Sequence, residues 1–118
     1  MTPSSLRLVR DQITRAELDL LAKASFGEMV KAVVDVERRT MAVGGELHSD
    51  EEAMLLDDGS TQSDLWGINL YTGEQGDDFI EFDSMINVRP AQGNPSRSVM
   101  DASTRARLRA VVTQLVAE

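Results

Sequence analysis

The sequence predicts an α+β fold, in which a mainly antiparallel sheet carries two amphipathic helices on one face as a two-layer sandwich. Two segments, one near each end of the chain, repeat apolar residues with helical spacing and have one apolar stripe each. Between them lie several segments with strand spacing, joined by short turns that favour antiparallel pairing. The chain of 118 residues is long enough for one core, so we expect a single domain over residues 1–118.

The first two elements are a short strand and a helix. Alternating leucines predict an edge strand over residues 5–10. Thr14 and Glu17 have the spacing of a capping box, in which each side chain accepts a hydrogen bond from the other residue's backbone amide. Gly27 stands where a helix commonly ends in a left-handed conformation. These signals predict a helix over residues 14–26.

The next part of the chain alternates apolar and polar residues. The alternation, rich in valine, predicts a strand over residues 29–38, and the run Thr40–Val43 can return beside it as a hairpin. Residues 49–58 begin like a helix and end like a turn. We expect a short helix or an irregular turn there.

Two further strands and a second helix complete the predicted fold. The strands cover Leu65–Tyr71 and Phe79–Val88, with a turn rich in glycine and aspartate between them. A long loop follows over residues 89–100, and the last helix begins at Asp101 or Ser103. Its apolar stripe consists of Leu108, Val111, Val112, Leu115 and Val116.

Composition and charge exclude several classes of protein. The chain has no cysteine, which excludes a disulfide scaffold, a thiolate zinc site and cysteine catalysis. No apolar run has membrane-spanning length and no signal-peptide pattern is present, so we expect a cytoplasmic protein without a membrane partner. The net charge of −8 argues against a nucleic-acid partner, although Arg105, Arg107 and Arg109 form a candidate basic patch.

The single histidine, His48, lies in an acidic segment. In an extended chain Glu46, His48 and Asp50 point to the same side, where they offer oxygen and nitrogen ligands to a divalent ion. One alternative is therefore a small metal-dependent hydrolase that uses these residues, together with Asp83 or Glu81. The other interpretation is a hydrogen-bonded structural histidine among solvated carboxylates, since one histidine without cysteine is not a typical zinc site.

The last predicted strand has a polar face, formed by Glu81, Asp83, Asn87 and the adjacent Arg89. Asn69 of the neighbouring strand can lie beside these residues. Clustered carboxylates shift one another's pKa, which would supply an acid and a base. A solvated face, or an interface between the subunits of a homodimer, is the alternative.

The loop over residues 89–98 is rich in hydrogen-bonding groups, among them Gln92 and Asn94. It leads towards a helix N-terminus, where backbone amides and the helix dipole favour an anion. No phosphate-binding glycine motif is present, and a loop that covers a sheet edge is the alternative.

A set of short motifs runs in order along the chain. It consists of FGEMVKAVVDVE from Phe26, GGELH from Gly44 with DEE from Asp50, DGS from Asp58, LWGINLY from Leu65, and INVRP with QGN from Ile86. These motifs resemble a family of small bacterial proteins that is catalogued only as a domain of unknown function. The resemblance covers about Leu6 to Val116 and implies a bacterial, cytoplasmic, stand-alone domain. It implies no activity, cofactor or catalytic residue.

No strong catalytic motif is present, so the sequence favours a small binding or interaction module. We expect the protein to form a homodimer. We also expect it to bind an unknown protein or a small-molecule ligand. The alternative is the metal-dependent hydrolase that uses Glu46, His48 and Asp50, and only this alternative requires a cofactor, a divalent metal. Whether the protein is an enzyme is not decided by the sequence.

Overall fold

A computed structural model describes residues 6–118 of the chain. The strands are β1 (Arg7–Val9), β2 (Ile13–Thr14), β3 (Met29–Asp35), β4 (Thr40–Val43), β5 (Leu65–Tyr71), β6 (Ile80–Glu81) and β7 (Val116–Ala117). The helices are α1 (Arg15–Ala24), α2 (His48–Asp57) and α3 (Ala102–Leu115). The strand predicted over residues 5–10 corresponds to β1, and Ser5 lies outside the described residues.

The main sheet has five strands in the order β1-β4-β3-β5-β6, and every neighbouring pair is antiparallel. The longest ladder joins β3 to β5, from Met29 opposite Tyr71 to Asp35 opposite Leu65. β2 and β7 form a separate parallel pair. This small pair ties the beginning of α1 to the end of α3.

The two faces of the main sheet are covered by different helices. α1 and α3 pack on one face, where the larger core includes Leu18, Ile68 and Leu108. α2 packs against β3 and β4 on the other face, where Leu55 lies in a smaller core with Val33. The predicted α+β fold, with two helices on one face of a mainly antiparallel sheet, is confirmed. α2 is the segment for which the sequence allowed a helix or a turn, and it covers the second face, so the fold has three layers where the sequence predicted two.

The helix boundaries follow the local signals in the sequence. The backbone amide of Glu17 donates to Thr14 Oγ1 and the amide of Thr14 donates to Glu17 Oε2, each over 3.1 Å, so the capping box is confirmed. Gly27 has a φ of +90°, as a left-handed helix end requires. Asp101 caps α3 by accepting from the amide of Thr104 over 2.9 Å.

The prediction of a strand over Phe79–Val88 is wrong except at Ile80 and Glu81. Only Ile80–Glu81 pairs as a strand, and a 3₁₀ turn follows over Met85–Asn87. The side chain of Ser84 packs so closely on Gly67 that a Cβ atom at Gly67 would lie 2.5 Å from the Ser84 Cβ atom. Ser84 then begins the turn, because its hydroxyl accepts from the amide of Ile86.

The strand predicted over residues 29–38 ends early, at Asp35. The buried Asp35 carboxylate accepts from the amides of Glu37 and Arg38, over 2.9 and 2.8 Å, and these bonds turn the chain towards β4. Within residues 6–118, no helix is long and apolar enough to cross a membrane.

Candidate functional site

A cleft of about 350 Å³ opens on the face of the sheet that carries α2. Its walls come from β3, the N-terminal end of α2, β5, β6 and the chain after β6. The lining residues are Met29, Lys31, Leu47, His48, Ser49, Asn69, Glu81, Asp83, Ser84, Met85, Ile86 and Arg97. The volume is that of a site for a small molecule. The fold thus brings together four of the residues singled out in the sequence: His48, Asn69, Glu81 and Asp83.

His48 is the first residue of α2, and its imidazole is buried against the sheet. Its Nε2 atom lies 2.8 Å from the carbonyl oxygen of Ile68. Because a carbonyl oxygen only accepts, Nε2 carries the proton and Nδ1 is the acceptor in the neutral ring. Burial lowers the pKa of His48, and the charge of Lys31 lowers it further; hydrogen bonds from the protonated ring to the Ile68 carbonyl and the Asn69 side chain, and the charge of Asp83, act in the opposite direction. The ring is therefore neutral at pH 7.

Asn69 lies in the floor of the cleft and is only 5% exposed. Its Nδ2 atom donates to Glu81 Oε1 over 2.8 Å and to the carbonyl oxygen of Asp83 over 3.2 Å. Tyr71 also donates to Glu81 Oε1, over 3.3 Å. Asn69 Oδ1, in contrast, is buried and has no hydrogen-bond donor in the described part of the chain while His48 is neutral; only the protonated imidazole would donate to the Asn69 side chain. The amide is thus held firmly at one end and unsatisfied at the other.

Charges of both signs line the cleft. Arg97 and Asp83 form an ion pair, in which the Nε and Oδ1 atoms lie 2.8 Å apart, so these two charges compensate each other. Lys31 and Glu81 have no oppositely charged side chain within ion-pair distance among residues 6–118. The Lys31 amino group lies over the Phe26 ring, 5.2 Å from its centroid. The cleft therefore keeps one unpaired charge of each sign.

Glu51, one helical turn after His48, is completely buried. Its Oε2 atom accepts from the amide of Gly45 over 3.0 Å, while Oε1 has no partner among the described residues. Burial raises the pKa of Glu51 to about 9, against smaller opposing effects of the Gly45 amide and Lys31. The carboxyl group is therefore protonated at pH 7, close to the cleft but outside its lining.

The sequence predicted Asn87 on a polar strand face. In the structure its side chain instead takes the place of a strand beside β5. Its Oδ1 atom accepts from the amide of Gly67 over 2.8 Å, and its Nδ2 atom donates to the Gly67 carbonyl oxygen over 2.9 Å. The side-chain amide thus makes the two hydrogen bonds that a neighbouring strand would make. Nδ2 also donates to the Arg97 carbonyl oxygen, over 2.9 Å. Asn87 is fully buried and holds the chain after β6 against β5.

Arg89, Gln92 and Asn94 also lie outside the cleft lining. Arg89 donates to the carbonyl oxygens of Ile86 and Leu65 and faces Glu52, with 3.6 Å between the Nη2 and Oε2 atoms. Gln92 donates to the carbonyl oxygen of Ser63 over 3.2 Å. The loop therefore covers the edge of β5, which is the structural alternative that the sequence offered.

Asn94 organises the loop from within. Its Nδ2 atom lies within hydrogen-bond distance of three carbonyl oxygens, those of Asn87, Ser96 and Ser98, and its Oδ1 atom accepts from the amide of Met100 over 2.9 Å. A buried amide with these partners is fully satisfied. Asn94 therefore leaves no group for an anion.

The proposed metal ligands Glu46, His48 and Asp50 do not converge. α2 begins at His48, so the segment is not extended, and the side chains of residues 48 and 50 leave the helix in different directions. Glu46 and Asp50 are exposed, whereas the imidazole is buried and bonded to Ile68. Within residues 6–118, no group of three or more His, Asp or Glu side chains is placed to hold a metal ion.

The three arginines of α3 are bound by other groups of the protein. Arg105 donates to Ser98 and to the carbonyl oxygen of Val99, at the N-terminal end of the helix. Arg107 pairs with Glu37 over 2.6 Å, and Arg109 pairs with Asp77 over 2.9 Å. Arg105 and Arg109 both lie over the Phe82 ring, 5.0 and 5.2 Å from its centroid, so all three guanidinium groups have partners within the protein.

Lys31, Glu51 and Arg97 are the residues of this region that the sequence analysis missed. The alternation in β3 already places Lys31 on the same side as Val33, away from the main core. Glu51 follows His48 by three residues, so a helix there would place both side chains on one face. Arg97 carries no signal of this kind, because its position depends on how the irregular chain after β6 folds back.

The molecule is an α+β protein in which a mainly antiparallel sheet with helices on both faces carries a polar cleft. The chain belongs to the family "Protein of unknown function (DUF5674)", whose profile matches residues 7–115. The family expected from the sequence motifs, one of unknown function that covers almost the whole chain, is thus found. Comparisons with curated proteins and with solved structures gave no match.

Proposed function

We propose that the protein is a binding module that takes a small polar molecule in the cleft between α2 and β6. The observation that carries the proposal is Asn69, a buried side chain in the cleft floor whose Oδ1 atom has no partner in the described part of the chain. A buried amide oxygen without a donor costs about 1–3 kcal/mol of folding free energy. A ligand with an N–H or O–H group would remove this cost.

The surroundings of Asn69 support a ligand rather than a structural role alone. An apolar side chain at this position would extend the small core around Val33, and it would avoid the unsatisfied oxygen. Instead, the position holds a polar group beside the buried His48 and the unpaired Glu81. Local departures from good packing of this kind concentrate at functional sites.

The test is chemical-shift mapping of the ¹⁵N-labelled protein against a panel of named probes. The probes are L-leucine, acetate, inorganic phosphate, methylamine, glucose and adenosine, each at millimolar concentration. We expect at least one probe to shift, saturably, the amide signals of the residues that line the cleft. Asn69→Leu should weaken this binding about tenfold or more, because it removes the central polar group. Gln12→Leu, an exposed substitution outside the cleft, is the control and should leave binding unchanged.

Shifts that lie elsewhere on the protein, or that survive in Asn69→Leu, would contradict the proposal. The absence of binding by every probe would also overturn it. The mapping on the unmodified protein does not depend on the variant, so the test stands even if Asn69→Leu folds poorly.

The remaining expectations from the sequence stay predictions. They include the bacterial origin, the cytoplasmic location and the homodimer. The metal-dependent hydrolase stays a prediction as well, but it depended on an extended segment over residues 46–50, and α2 begins within that segment.

A further inference from the structure

We propose that the ligand of this cleft is a free α-amino acid with an apolar side chain, bound as a zwitterion between Lys31 and Glu81. This inference rests on the proposed function and names the class of ligand. It depends on three features of the cleft: the order of charges across the sheet, the unsatisfied hydrogen-bonding groups, and the apolar rim.

The charges are separated across three neighbouring strands. Lys31 of β3 lies opposite Asn69 of β5, and Asn69 lies opposite Glu81 of β6. Because neighbouring strands are about 4.8 Å apart, the backbones of Lys31 and Glu81 are separated by about 10 Å, with Asn69 between them. The side chains of Lys31 and Glu81 thus lie on the same face of the sheet, on either side of Asn69, and neither has an ion-pair partner among residues 6–118. A molecule with one charge of each sign complements both.

The hydrogen-bonding groups follow the same order as the charges, with donors near Lys31 and acceptors near Glu81. α2 packs against β3, the strand of Lys31, and its N-cap residue Leu47 provides no side-chain cap for the first-turn amides. Uncapped amides at a helix start bind carboxylates well. Beside Glu81, and among residues 6–118, Asn69 Oδ1 lacks a donor and Glu81 accepts from two groups, the Asn69 amide and the Tyr71 hydroxyl. An ammonium group supplies the missing donors there.

The rim of the cleft is apolar. Leu47 and Met85 are large apolar side chains that are 55% and 65% exposed, and both line the cleft together with Met29 and Ile86. Methionine and leucine side chains adapt to apolar groups of different shape. This rim would receive the side chain of the amino acid, and we therefore expect L-leucine or L-methionine to bind better than glycine.

The test compares L-leucine with two analogues that each lack one charge. 4-Methylpentanoate lacks the ammonium group, and 3-methylbutylamine lacks the carboxylate. We expect isothermal titration calorimetry to give binding of L-leucine, with each analogue weaker by about tenfold or more, which corresponds to about 1.4 kcal/mol. The measurement uses the unmodified protein, so it does not depend on how any variant folds.

Matched variants assign the two charges. Lys31→Gln and Glu81→Gln should each weaken L-leucine binding about tenfold. Lys23→Gln and Glu46→Gln, which change exposed residues outside the cleft lining, are the controls and should have no effect. Lys31→Gln should leave binding of 3-methylbutylamine unchanged, because that analogue has no carboxylate.

The outcomes separate this inference from the proposed function. If the analogues bind as tightly as L-leucine, or if only another probe such as phosphate binds in the cleft, the zwitterion is wrong and the binding module stands. If neither these compounds nor the wider panel binds in the cleft, both proposals are wrong.

Discussion

The buried carboxyl group of Glu51 couples folding stability to pH. Its pKa is raised to about 9 in the folded protein, against a usual value of 4.5. Between these values the folded state holds a proton that the unfolded state has lost, so stability falls as pH rises. The slope is about 1.4 kcal/mol for each pH unit, which corresponds to a loss of about 3 kcal/mol by pH 7.

Glu51→Gln should therefore raise the free energy of unfolding at neutral pH by up to about 3 kcal/mol and remove this slope. Urea unfolding at about pH 7.5 and about pH 8.5 measures both effects. His48 does not contribute to the slope in this range, because its lowered pKa affects stability only as pH falls through its usual value of 6.5. Below pH 6.5 the histidine changes the free energy of unfolding in the opposite direction to Glu51. Stability is lost there as pH falls, because the unfolded histidine becomes protonated.

Glu46→Gln provides the control for Glu51→Gln, because Glu46 is exposed and lies in the segment just before α2. It should leave the slope unchanged. If the unmodified protein and Glu51→Gln show the same dependence on pH between these two values, the carboxyl group of Glu51 is ionised in the folded state and our description of it is wrong.

At the scale of elements, part of the edge of β5 is closed by side chains rather than by a full neighbouring strand. β6 pairs only with the far half of β5, at Asn69 and Leu70. At Gly67, Asn87 makes the hydrogen bonds of the missing strand, and Ser84 packs directly on the glycine. This arrangement allows the chain after β6 to turn away and place Asp83 and Met85 at the cleft.

Gly67→Ala should destabilise the protein by about 1–3 kcal/mol, because the added Cβ atom would lie 2.5 Å from the Ser84 side chain. Urea unfolding measures the loss. Gly73→Ala is the matched control, since a Cβ atom there would meet nothing within 4 Å, and we expect little change. Adding Ser84→Gly to Gly67→Ala should recover part of the loss, because it removes the atoms that clash. Equal effects of the two alanine substitutions would contradict the close approach.

At the scale of the whole molecule, the two faces of the sheet have cores of unequal size. Among residues 6–118, the core under α1 and α3 contains twenty buried residues, whereas the core under α2 contains four. Because local opening is governed by the buried apolar contacts that must be broken, α2 should open more easily than the rest of the domain. α2 also supplies Leu47, His48 and Ser49 to the cleft, so the more weakly held helix is the one beside the proposed ligand.

We expect native-state hydrogen exchange to show less protection for the amides of α2 than for those of β3 and β5. Leu55→Ala, at the centre of the smaller core, should destabilise the protein by about 2–5 kcal/mol and increase exchange most strongly in α2. Leu108→Ala in the larger core is the comparison and should affect the whole domain. Equal protection of α2 and the central strands would show that the two cores unfold as one unit.

Much of the fold is readable from local patterns. The capping box at Thr14 and Glu17, the valine-rich alternation of β3 and the apolar stripe of α3 each depend on residues that are close in sequence. For the same reason the α+β class and most helix boundaries were predicted. α2 was ambiguous because its N-cap residue, Leu47, has no capping side chain and its apolar stripe is short.

The candidate site was only partly predictable. His48, Asn69, Glu81 and Asp83 were selected from the sequence because of their chemistry, and the fold brings them to one cleft. Asn87 and Asn94 were selected for the same reason but are buried and bonded to backbone groups. Residue type does not distinguish an amide that serves a ligand from one that replaces a strand, because both are polar residues in irregular segments.

The amino-acid sequence by itself determined the class of fold, the family, and the short list of polar residues from which a site could be built. The tertiary structure decided which of those residues share a cleft, because this depends on contacts between segments that are distant in the chain. The pairing of β3 with β5 places Lys31 beside Asn69, and the close approach at Gly67 returns the chain with Asp83 to the same cleft. Neither contact has a local signature, since each depends on the packing of the whole sheet.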